Sequence, residues 1–224
     1  FCHAKAMASV LDYGVPARAA DVTLPRENAH DIRSYPEILT WLLACGPWRS
    51  TVTAYDWEYA TEAHASGGAL SLLWHQQVGP LVTASLTYYR STIEVSNMQP
   101  HRERINQALT PQILAEVGGT PYRSINDYAA QVHCRELPSK ELLVSVAGNL
   151  VDGGQRHPGG RSLPFVARYR FTTDSVTITV SVTPDRPLDS LVFILPIIAD
   201  KTEQVIVRDN RVEIAKRNGT VYLS

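Results

Sequence analysis

The chain has 224 residues, of which 44% are hydrophobic and 19% charged, and its formal net charge is -1. This length buries a substantial core, as one large β domain or two small ones, and the composition argues against intrinsic disorder. Near-zero net charge gives no global attraction to nucleic acid or an acidic membrane, and no apolar run approaches the roughly 18–20 residues of a membrane span.

The sequence opens on Phe1 rather than Met, directly in a helical pattern, which predicts a piece of a longer protein. Phe1, Ala4, Met7, Val10 and Leu11 share one helical face over residues 1–13, with Gly14 as the stop. A second helix is predicted over 36–45, with Pro36 at its first position and Gly46 at its end. Gly46-Pro47 is a sharp break, so residues 1–47 read as a helical segment and 48–224 as a β domain.

Residues 51–59, rich in Thr, Val, Tyr and Trp, read as a strand. Residues 69–75 and 81–89 read as two strands joined by Gln76-Gln77-Val78-Gly79. A short helix is expected over 111–117, capped by Thr110 and ended by Gly118-Gly119. Further strands are expected within 122–134 and at 142–147. Residues 152–162, with four glycines and a proline, form a turn-rich loop.

The alternation of Phe165, Ala167, Tyr169 and Phe171 against Arg168 and Arg170 predicts a strand, and residues 176–182 alternate in the same way. Thr172-Thr173-Asp174-Ser175 links the two as a hairpin. Residues 191–198 read as a strand buried on both faces. Residues 205–208, 212–214 and 221–223 form a closing meander, with turns at Asp209-Asn210 and Asn218-Gly219. The predicted fold is mainly β, a large antiparallel β-sandwich preceded by one or two short α-helices.

Cys2, Cys45 and Cys134 form no C-x-x-C pair and read as small core residues. The unusual stretch is HASGGALSLLWHQQVGPL, residues 64–81. Period-2 geometry puts Leu70, Leu72 and Trp74 on one face of its first strand, and Ala69, Ser71, Leu73 and His75 on the other. The second strand sorts Val82, Ala84, Leu86 and Tyr88 from Thr83, Ser85, Thr87 and Tyr89. The polar face is expected to meet solvent or a ligand groove, with His75 and Tyr89 on it. His64 precedes Gly67-Gly68, where backbone bends or comes close to another group.

At this stretch the sequence resembles the β-sandwich part of the heparinase II/III-like polysaccharide lyases, which join an α-helical toroid to a multi-stranded antiparallel sandwich. Their signature, of the type H-x-H-A-D-x-L-S-F followed by G-R-P-L-L-V-D-P-G, corresponds here to three pieces. These are Glu62-Ala63-His64-Ala65-Ser66, Ala69-Leu70-Ser71-Leu72 and Gly79-Pro80-Leu81-Val82. Tyr169-Arg170-Phe171, the 176–182 strand and the 191–198 run also resemble that family. The family's first histidine falls on Glu62, its following aspartate on Ser66, and its second-strand aspartate near Thr83 or Ala84. His64 is retained from the metal-binding set and His133 is a candidate second ligand, but no carboxylate is in place. No metal site of that type, and no cofactor, is expected.

The resemblance implies cleavage of a uronic-acid-containing polysaccharide by β-elimination. It places His64 in a carboxylate-facing or structural role and His75 and Tyr89 as proton-transfer groups. Arg90, Arg102 and Arg104 are candidates for attracting the acidic sugar, and Trp74 and Trp57 for stacking on it. It implies acidic polysaccharide or oligosaccharide as partner, a helical N-terminal domain outside this chain, and a periplasmic or secreted bacterial setting. Two alternatives stand beside it. One is a non-catalytic carbohydrate-binding or scaffolding sandwich. The other is a glycoside hydrolase using carboxylates among Asp56, Glu58 and Glu62.

Overall fold

The structure, a computed structural model, describes residues 27–55, 65–84, 89–90, 104–105 and 110–224. Its first sheet is antiparallel in the order β1 (His30–Tyr35), β2 (Thr40–Cys45), β3 (Trp48–Thr53), β4 (Ala69–His75) and β5 (Gly79–Thr83). A short pair, β6 (Tyr89–Arg90) and β7 (Arg104–Ile105), follows. Next come β8 (Gln112–Val117) and β9 (Thr120–Arg123), then β10 (Gln131–Glu136), β11 (Leu142–Asn149), β12 (Pro164–Phe171) and β13 (Val176–Val182). Strands β10 to β13 form the second large sheet. Strand β14 (Ser190–Ile194) pairs with the β8–β9 hairpin. Strands β15 (Gln204–Arg208), β16 (Arg211–Lys216) and β17 (Gly219–Leu223) form the closing meander.

The core lies between the two large sheets. Leu43, Val52, Leu70, Leu73 and Val82 from the first meet Leu142, Val144, Val146, Phe165, Tyr169 and Phe171 from the second in one buried cluster. The expected alternation on β12 is observed: Phe165, Ala167, Tyr169 and Phe171 are buried, and Arg168 and Arg170 exposed. The mainly β, antiparallel sandwich is thus the fold found, and the closing meander follows the expected turns.

Three local readings are corrected. Residues 36–45 are not a helix: a single 3-10 turn, Pro36–Ile38, links β1 to β2, which pairs along its whole length with β1 and β3. Pro36 and Gly46 mark two hairpin turns rather than two ends of a helix. Residues 112–117 are also strand, because β8 is held between β14 and β9 and cross-strand pairing overrides local helix propensity. The 191–198 run is not buried on both faces. Strand β14 is an edge strand, with Leu191, Val192 and Phe193 exposed. The helix read over 1–13 lies outside the described residues.

The Gly67-Gly68 turn packs closely against Ser124 and against Val146 of β11. Both glycines have φ of +70°. A Cβ on Gly67 would stand 1.8 Å from the Ser124 carbonyl oxygen, and one on Gly68 2.3 Å from Val146. The Gly67 N–H donates to Ala54 O at 2.9 Å, and the buried Tyr169 hydroxyl donates to Gly68 O at 3.1 Å. Gly67→Ala therefore combines left-handed strain with a clash against backbone and is expected to cost more than about 3 kcal/mol. Gly79→Ala meets only the strain, since nothing lies within 4 Å of its added Cβ, and should cost about 1–2 kcal/mol. Urea denaturation of the two variants beside wild type measures the difference.

Candidate functional site

Strand β4 positions the candidate site, and a β-bulge decides which way its side chains face. Thr51 pairs with Leu72, but Val52 pairs with Leu70, leaving Ser71 as the extra residue. Ser71 suits the irregularity because its hydroxyl bonds Thr53 Oγ1 at 2.8 Å and donates to Thr51 O at 3.2 Å. The bulge reverses the alternation, so Leu70 and Leu73 are both buried. His75 follows Leu73 onto the core side, opposite Trp48, while Trp74 sits opposite Arg49. The expected polar face of Ser71 and His75 is thus replaced by a core-facing row that ends in His75.

His75 is half-buried at the sandwich rim. Its ring meets Trp48 edge-on, with centroids 4.5 Å apart and planes at 64°. Its Nδ1 accepts the Gln77 N–H at 3.2 Å, which assigns the ring proton of the neutral form to Nε2. Burial holds His75 below the ordinary imidazole pKa. At neutral pH it is therefore an uncharged donor through Nε2, with its one lone pair already engaged.

Four turns gather around His75. The Gln76 N–H donates to Pro47 O at 3.0 Å, Gly46 packs on Thr173, and Gly219 lies against Val78. Between them is a cavity of about 410 Å³ whose polar lining includes His75, Gln77, Asp174, Thr220 and Tyr222, with Trp48 at its wall. Sequence reasoning singled out His75 but missed Trp48, Gln77, Asp174 and Tyr222. The cross-strand pair Trp48–His75 and the return of β17 are long-range facts without a local signal. The Asn218-Gly219 turn was the one readable hint.

His64, Trp57, Arg102, Asp56, Glu58 and Glu62 are outside the described residues. Tyr89 is not carried on the β4–β5 hairpin, since β5 ends at Thr83; it belongs to β6, where it pairs with Ile105. Arg90 and Arg104 stand directly opposite each other in β6–β7. His133 is exposed on β10, His30 lies 3.3 Å from Glu136, and His157 is half-buried. Cys45 and Cys134 carry free thiols, with Cys45 fully buried. Burial raises both thiol pKa values, that of Cys134 to about 11, so neither is a thiolate at neutral pH. Among the described residues no group of three or more His, Cys, Asp or Glu is placed to hold a metal ion. No helix among them is long and apolar enough to cross a membrane.

The family model for the ulvan lyase C-terminal domain matches residues 32–224. The chain belongs to this family. It is also 32% identical, over 229 aligned positions, to the broad-specificity ulvan lyase of Formosa agariphila. That alignment covers 100% of this chain and 35% of the relative, so the chain spans about a third of the relative's length. No solved structure matches the chain. The expectation of a polysaccharide-lyase C-terminal sandwich holds at this level.

The state of His75 has a pH signature. Its folded pKa is below the unfolded value of about 6.5. As pH falls below about 6.5 the unfolded chain takes up the proton more readily, and stability is lost until the folded pKa is passed. His75→Asn keeps an acceptor for the Gln77 N–H and removes this titration. Thermal melts from pH 7.5 to 5 should show a steeper decline for wild type than for the variant; parallel declines would place the acid sensitivity elsewhere.

Proposed function

We propose that this chain is the C-terminal sandwich of a lyase that cleaves a uronic-acid-containing polysaccharide by β-elimination, with ulvan the first substrate to test. The observation that carries the reading is the family match over residues 32–224, joined to a relative aligned along the whole chain. In such a reaction a base takes the proton at C5 beside the carboxylate. The electrons form a C4–C5 double bond, the bond from C4 to the leaving oxygen breaks, and an acid protonates that oxygen. Charge builds on the uronate, so donors or cations must face it.

His64 is proposed to face the substrate carboxylate. In the sequence it directly precedes Ala65, which is buried, and stands three residues before Gly67. Tyr89 is proposed for proton transfer, and Arg90, Arg102 and Arg104 for attraction of the acidic chain. Arg90 and Arg104 are backbone partners in the β6–β7 pair. For His75 the proposal is narrowed to hydrogen-bond donation, because its Nδ1 is occupied. The heparinase II/III-like resemblance belongs to the same proposal. On it, the residues before the sandwich end an α-helical toroid that supplies the remaining catalytic groups, and the protein works in the periplasm or outside the cell.

The test is ultraviolet absorbance during incubation of the full-length protein with ulvan and a panel of uronate polysaccharides. Wild type should release a 4,5-unsaturated product, and His64→Ala should slow its appearance by at least about 100-fold. A folded wild-type protein that yields no unsaturated product from any substrate would overturn the lyase reading. New reducing ends without the chromophore would indicate hydrolysis instead.

A further inference from the structure

The turn cluster around His75 lies at the far end of β4 from the Gly67-Gly68 seam. A seven-residue strand sets its two ends about 20 Å apart. The cluster therefore forms a separate place on the sandwich from the seam that adjoins His64.

Several features mark it as a built site. Its volume of about 410 Å³ falls within the roughly 300–1,000 Å³ typical of small-molecule pockets. Trp48 Nε1 is buried and has no hydrogen-bond partner among the described residues. His75, whose Nδ1 is engaged by the Gln77 N–H and whose Nε2 carries the proton, lines the same cavity. Buried donors are normally satisfied, so an unpartnered one beside a cavity calls for an acceptor supplied from outside the protein.

The rim carries complementary groups. Asp174 and Gln77 line both the cavity and the open groove beside it. The turn bearing Asp174 is held by Thr172 Oγ1, which accepts the N–H groups of Asp174 at 3.2 Å and Ser175 at 3.0 Å. The Tyr222 ring is 72% exposed at the same cavity. Two N–H donors, an amide, a carboxylate and two aromatic rings match the ring oxygens, hydroxyl groups and apolar face of a pyranose.

We propose that this turn cluster is a second sugar-binding site, which holds one pyranose unit of the polysaccharide away from the His64 end of β4. Trp48 and His75 donate to sugar oxygens, Asp174 accepts from hydroxyl groups, Gln77 does both, and Tyr222 packs on the ring face. The proposal rests on the reading that the protein meets a polysaccharide, and it does not require that the chain cleave it.

Affinity electrophoresis of the full-length protein through gels containing ulvan, a uronate polysaccharide or dextran tests the site. Each protein is assayed in parallel for ultraviolet product. Gln77→Ala and Tyr222→Ala alter exposed side chains, and Trp48→Phe removes the indole donor; melting temperatures confirm that each variant is folded. Wild type should be retarded by at least one polysaccharide, and each folded variant should bind it at least about tenfold more weakly. Retardation of folded Gln77→Ala and Tyr222→Ala equal to wild type would overturn the site, as would a wild type retarded by none of the polymers. Unsaturated product from wild type in either case would leave the lyase reading standing. Weakened retardation with no product from any protein would keep the site and remove the lyase.

Discussion

The fit of the Gly67-Gly68 turn against the second sheet is the constraint on which the rest of the sandwich depends. No side chain larger than hydrogen is accommodated there, because the Ser124 carbonyl and the Val146 side chain occupy the space. Tyr169 fastens the turn through its bond to Gly68 O, and burial keeps that hydroxyl protonated. With the start of β4 fixed, the bulge at Ser71 sets the phase of everything after it. Leu73 is directed into the core and His75 to its rim. A second register shift, between Leu73 and Trp74 against β5, lets Leu81 and Val82 both be buried. The position of His75 is thus the product of a glycine seam and a serine bulge, neither of which touches it.

Much of the fold was legible because strands in a sandwich carry their burial in their own alternation. Strands β12 and β13 and the closing meander read correctly, since one face is core and the other solvent. The bounds of β4 were also readable. Its facing was not, because a bulge changes the phase of a strand without changing its composition. Strand β2, Thr-Trp-Leu-Leu-Ala-Cys, looks helical because leucine and alanine favour helix and because Pro36 and Gly46 serve equally as helix caps and hairpin turns. Strand β14 looked fully buried because an apolar run does not reveal that its strand has a neighbour on one side only.

The site was legible in part for the same reason. His75 stood out as a polar residue ending an apolar strand. Trp48 and Tyr222 reach it only through pairing and packing: Trp48 across the β3–β4 ladder, and Tyr222 through a meander that begins more than a hundred residues later. Sequence spacing carries no information about either approach. The family resemblance directed attention to His64, which adjoins the seam, and the bulge separated His75 from the polar face to which simple alternation assigned it.

The charge of the chain bears on how a polysaccharide is held. A net charge of -1 supplies no long-range pull on a polyanion, so recognition has to be local. The turn cluster carries a carboxylate at Asp174 and neutral donors within, which suits hydroxyl groups and ring oxygens better than a carboxylated sugar. A polymer offers both kinds of group along one chain. Once one unit is held, the next is presented at high effective concentration, so two weak sites give useful affinity without either being tight. Binding far from the reacting bond is equal in ground and transition states, so it lowers KM rather than raising kcat. On the proposed reading, such a site on the sandwich would improve capture of a long substrate and leave the bond-breaking step to residues elsewhere.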